Sequence, residues 1–152
     1  MASLIVSVVA DFQIYYVEEV TEDADGNSVS NDYLMVPDGA PSCNDVELEY
    51  EFFPLFDDAS NSGDSRCDGC GDFNDISTWD IKELELHAST DWGHYTIYKE
   101  HGYQITPADG GPLDGYCTRD ANDKVDCTNG LGLQHGQRLF TCKSSKAGAH
   151  AK

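Results

Sequence analysis

His87, His94 and His101 recur at intervals of seven residues, and Glu83, Glu85 and Glu100 lie among them. Imidazole and carboxylate side chains held within hydrogen-bond reach of each other are the usual parts of general acid–base catalysis. A hydrolase of the ribonuclease or glycosidase type is one reading of this segment. In strands an odd spacing puts successive residues on opposite faces, so the three histidines form no ligand row unless the chain folds back at Ser89-Thr90-Asp91. Phosphate chemistry also asks for arginine, and the chain has only Arg66, Arg119 and Arg138. No Gly-x-Ser-x-Gly, phosphate loop or His-Glu-x-x-His occurs, so no nucleophile or metalloprotease site is assigned, and the expected number of catalytic residues is none.

Two acidic stretches invite a cation. Asp23, Asp25 and Asp32, with Gly26 between them, fall near the spacing of a calcium loop. Thr21 supplies no carboxylate at the first position, and the flanks read as strands, so calcium is a weak candidate. Asp68, Asp72 and Asp75 surround Cys67-x-x-Cys70, where solvated carboxylates are the ordinary outcome. No second Cys-x-x-Cys or histidine pair completes a zinc tetrahedron there. No metal or other cofactor is expected.

Six cysteines (43, 67, 70, 117, 127 and 142) in a small acidic chain suit a disulfide framework and an oxidising compartment. Cys117 and Cys127 are symmetric about Asn122, so a hairpin over Tyr116–Cys127 pairs them across its ladder. Cys67 and Cys70 pair locally, unless each reaches a distant cysteine. By elimination Cys43 then joins Cys142.

The elements that position these groups are strands. Val46–Phe52 alternates apolar and carboxylate residues without a break, the period of a strand with one wet face in an antiparallel sheet. Further strands are expected at Leu4–Val9, Phe12–Val20, Asp32–Val36, across Ile76–Ile105 with a slip at Lys82-Glu83, and at Gln137–Lys143. In Phe12–Val20, Phe12, Ile14 and Tyr16 share one face while Gln13, Tyr15 and Val17 share the other. Thr21–Asn31 and Phe56–Asp75 read as irregular loops. No segment has helix period. The fold class is all-β: an antiparallel β-barrel or two-sheet sandwich of about nine strands, stabilised by disulfides. Residues 1–143 form one domain and 144–152 an exposed tail.

The chain has 152 residues and a formal charge of −19. That field repels phosphate backbones, so nucleic acid is not an expected partner, and cationic partners are favoured. No stretch approaches the ~20 apolar residues of a membrane span, so no membrane insertion is expected. Met1–Ala10 lacks the positive start of a signal peptide.

The runs SCNDVELEYEFF, CDGCGDF and DWGHYTIYKEHGYQI, with the chain length and six cysteines, resemble the small secreted elicitors of plant-pathogenic fungi that induce the hypersensitive response. The resemblance covers the whole chain. It implies a secreted, extracellular β-barrel that triggers plant cell death and immune responses by surface recognition of a host protein or receptor, and it carries over no catalytic residues.

Overall fold

The structure is a computed structural model describing residues 10–48, 50–89, 92–129 and 132–145. It is an all-β, nearly closed antiparallel barrel. In chain order the elements are β1 (Ala10–Glu22), β2 (Ser28–Met35), α1 (Cys43–Leu48), β3 (Phe52–Pro54), β4 (Ser65–Asp68), a 3-10 segment (Phe73–Thr78), β5 (Glu83–His87), β6 (His94–Tyr98), a 3-10 turn (Lys99–His101), β7 (Gln104–Pro107), β8 (Gly115–Arg119), β9 (Lys124–Asn129) and β10 (Gly132–Ser144). The strands follow one another as β3-β2-β1-β10-β8-β7-β6-β5-β4, and β9 also lies on β10.

Direction alternates along that path of nine, so an odd count brings its two ends, β3 and β4, together in parallel. A parallel bridge, Leu55 with Ser65, lies at that seam. The Phe56 N–H donates to the Ser65 carbonyl at 2.9 Å. The Ser65 hydroxyl lies 3.1 Å from both the Phe53 and the Pro54 carbonyl.

The barrel is filled rather than hollow. Phe12, Ile14, Leu34, Phe53, Leu84, Leu86, Leu139 and Phe140 are buried in one cluster. Each such side chain contributes about 1.5–3 kcal/mol relative to leaving it in water. Alternation explains the selection: Leu84 and Leu86 face inward, while Glu83 and Glu85 remain on the outer face. In β1 both faces are apolar. Ile14 and Tyr16 enter the barrel, whereas Tyr15 and Val17 meet Met35, Val46 and Cys127 in a second cluster outside it.

That second cluster corrects the reading of Val46–Phe52 as a strand. The chain forms α1 over Cys43–Leu48, and the strand that follows is Phe52–Pro54. A reciprocal cap starts the helix: the Ser42 N–H donates to Asp45 Oδ2 at 2.6 Å, and the Asp45 N–H to Ser42 Oγ at 3.3 Å. This Ser-x-x-Asp arrangement satisfies donors that an α-helix otherwise leaves open. The helix buries Val46 and stands beside β9 through the Cys43–Cys127 disulfide.

The expected hairpin over Tyr116–Cys127 is absent. β8 and β9 lie end to end against β10, with Arg119 opposite Phe140 and Lys124 opposite Gln137. Asp120–Asp123 is an outward excursion within this composite strand. Asp120 pairs with Arg138 at 3.0 Å, the Arg138 N–H donates to the Asp123 carbonyl at 3.0 Å, and the Tyr15 hydroxyl donates to Asp123. Cys117 and Cys127 are therefore far along one edge rather than opposite each other. The bonds run Cys117–Cys142, Cys43–Cys127 and Cys67–Cys70. The expected Cys117–Cys127 and Cys43–Cys142 pairs are both replaced.

Smaller differences follow from the same ladders. The loop after β1 is shorter than Thr21–Asn31, because β2 begins at Ser28. Phe56–Asp75 holds β4 and the start of a 3-10 segment. β10 includes Ser144, buried in the sheet. The expected strand Leu4–Val9 and residues 146–152 of the expected tail lie outside the described residues.

Candidate functional site

Arg66, Glu83, Glu85, His87 and His94 meet on the outer face of β4, β5 and β6. The register places Arg66 opposite Glu85, and His87 opposite His94. The inward positions of these strands are taken by Leu84, Leu86 and Ile97, so the polar residues between them can only turn outward. Arg66 Nε lies 3.2 Å from Glu85 Oε2, and Arg66 Nη2 bonds Glu83. The other Glu85 oxygen lies 2.7 Å from His94 Nε2. The His94 ring stacks on His87, with centroids 4.2 Å apart and planes inclined by 4°. His87 Nδ1 is 3.2 Å from the Ala59 carbonyl. A carbonyl only accepts, so Nδ1 carries the hydrogen and Nε2 keeps its lone pair.

The result is a continuous chain of contacts, from Glu83 through Arg66, Glu85, His94 and His87 to a backbone carbonyl. Its side chains are half-buried: 18% exposed for Glu85 and 26% for His94. The Glu85–His94 pair can hold and pass a proton. Arg66 is engaged by two carboxylates.

His101 and Glu100, the other members of the expected cluster, stand elsewhere. His101 lies in the 3-10 turn after β6, 3.6 Å from Glu100 and against the Tyr98 ring. Arg66 is the member that sequence reading missed. Its strand has only four residues, too few for alternation to stand out from the surrounding Asp-, Ser- and Gly-rich chain.

The calcium candidates are not gathered. Asp23 Oδ1 accepts the N–H groups of Asp25 and Asn27, at 2.9 and 2.8 Å, and so caps the tight turn between β1 and β2. The Asn27 N–H is the leading reason that the Asp23 carboxyl is held below its ordinary range. Asp32 is paired with Glu18 down the ladder, four residues beyond the first of β2 and so about 13 Å along the strand. Among the described residues no group of three or more His, Cys, Asp or Glu is arranged to hold a metal ion.

A cleft of about 390 Å³ opens beside the β3–β4 seam, lined by Tyr16, Asp32, Leu55, Phe56, Asp57 and the Cys67–Cys70 disulfide, with Gly71. Phe56 is 53% exposed there. Burial, followed by a hydrogen bond to Asp32, pushes the Tyr16 hydroxyl well above its ordinary ionisation range, so the phenol stays neutral. Tyr16 packs edge-on against Trp79 with centroids 4.9 Å apart, which closes the barrel beneath the cleft. The lining is aromatic and anionic, with no lysine, arginine or histidine among the described residues. Such a surface suits ammonium or guanidinium groups.

Among the described residues no helix is long and apolar enough to cross a membrane. The chain matches no protein-family model, no curated protein and no solved structure.

Proposed function

We propose that this chain is a secreted recognition protein of the elicitor type, triggering plant cell death and immune responses by presenting its surface to a host protein or receptor. The seam cleft carries the reading: carboxylates and an exposed phenylalanine stand side by side on a crosslinked, filled barrel. An exposed aromatic beside charge is the composition of a protein-contact hot spot, and rigidity limits the ordering cost of binding. Three disulfides agree with an oxidising, extracellular setting. The test is leaf infiltration with wild-type protein, reduced and alkylated protein, and the triple variant Asp32→Asn, Phe56→Ala, Asp57→Asn. Necrosis is expected from the wild type alone. Undiminished necrosis from the reduced protein would contradict the reading.

A second reading, hydrolysis, is favoured by the 2.7 Å contact between His94 and Glu85. Replacing His87, His94 and His101 by Gln separates the two. Loss of a measurable hydrolysis of RNA or glycan with an unchanged melting curve supports the enzyme. Unchanged necrosis in the same variant supports recognition.

A further inference from the structure

Each stacked histidine offers one nitrogen that has no hydrogen-bond partner among the described residues. His87 donates from Nδ1 to Ala59, which leaves Nε2; His94 donates from Nε2 to Glu85, which leaves Nδ1. With both rings neutral, Asp58, Glu83, Glu85 and Arg66 sum to two negative charges. Imidazoles as a class gain a proton between about pH 8 and pH 5. Protonating both rings brings the sum to zero and creates two new N–H donors. The two cations then stand face to face at 4.2 Å, and only His94 has a carboxylate against it. An oxyanion bound at the free nitrogens supplies the missing acceptor and relieves the repulsion.

We propose that the His87–His94 face is an acid-gated oxyanion site that takes a phosphate group, empty of affinity when the rings are neutral. The site is independent of whether the chain cleaves a substrate. The groups packed around it are the Ala59 carbonyl and Asp58 from the loop before β4, Arg66 and the Asp64 backbone from the β4 side, Glu83 and Glu85 from β5, and the Ala108 N–H, which bonds the His94 carbonyl. Glu85, itself held by Arg66, orients the His94 ring, and the Ala59 carbonyl orients the His87 ring. Asp58 weakens anion binding, so the expected affinity is low, about 1 mM.

The test follows the histidine ring protons by nuclear magnetic resonance while inorganic phosphate is added, at about pH 5 and about pH 8. A saturable shift of two histidines at the acid pH, absent at the alkaline pH and abolished in both His87→Gln and His94→Gln, is the expected result. Thermal melts of both variants show whether each is folded, and where one fails to fold the other carries the test. Shifts that never saturate, that are equal at the two pH values, or that persist in a folded variant overturn the proposal. A second arm uses a phosphoserine peptide. Affinity equal to that of inorganic phosphate assigns the site to the free ion, and affinity at least about tenfold tighter assigns it to a protein-borne phosphate.

Discussion

Cys117 and Cys142 sit directly opposite each other in the β8–β10 ladder and are bonded, with their Cα atoms 4.0 Å apart. This crosslink staples neighbouring strands of the barrel, whereas Cys43–Cys127 ties the outer helix to β9 across 84 residues of sequence. In the chain-entropy description the shorter loop contributes about 3–4 kcal/mol and the longer about 4–5 kcal/mol. Paired Cys→Ala variants of each bridge, compared by denaturant unfolding, are expected to lose stability in that order. Peptide mapping without reduction should recover Cys43 with Cys127, and recovery of Cys43 with Cys142 would contradict the fold.

Gly69, inside the Cys67–Cys70 turn, has φ of +96°, and a Cβ there would stand 2.0 Å from the Asp80 carbonyl oxygen. Gly26 also has positive φ, +80°, but open space around it. Gly69→Ala therefore combines strain with a backbone clash and is expected to cost more than about 2 kcal/mol, against about 1 kcal/mol for Gly26→Ala. Thermal melting of the two variants checks the ranking.

A buried hydroxyl, that of Ser65, lies at the barrel seam. Ser65→Ala removes the hydroxyl contacts to the Phe53 and Pro54 carbonyls. A loss of about 1–2 kcal/mol is expected, with faster amide exchange at Phe56. An unchanged exchange rate at Phe56 would show that the seam is held by other contacts.

Asp120 sets an acid limit on stability. Desolvation acts to raise its pKa, but the Asn122 N–H, Arg138 and Thr141 outweigh it, so the carboxyl is held below the ordinary value of 3.8. The folded state thus binds the proton less well than the unfolded chain. The stabilisation is complete above the unfolded value and is lost as the pH falls through the lower, folded one. Asp120→Asn removes the group, so its unfolding free energy should fall less steeply with pH below ~4 than that of the wild type. Parallel slopes would sink this assignment.

Much of the architecture was legible in residue order because it depends on local period. The face assignment of Phe12, Ile14 and Tyr16 against Tyr15 and Val17 is that of the two observed clusters. Where reading failed, a short-range cap or a distant partner won. Ser42 and Asp45 cap each other and turn an alternating stretch into α1, a signal present in the sequence but outweighed by the longer pattern. The excursion at Asp120–Asp123 is fixed by Arg138 and Tyr15, neither of which is a sequence neighbour.

The order of residues by itself determined an acidic all-β chain, the inward and outward sides of its main strands, and the three histidines with their carboxylates. Which cysteines bond, which strands meet at the seam, and that His87 and His94 stack beside Glu85 and Arg66 while His101 stands apart were decided only by the tertiary structure. The reason is physical: side-chain direction repeats every two residues along a strand, but the partner across the ladder is chosen by register and closure, which no local stretch encodes.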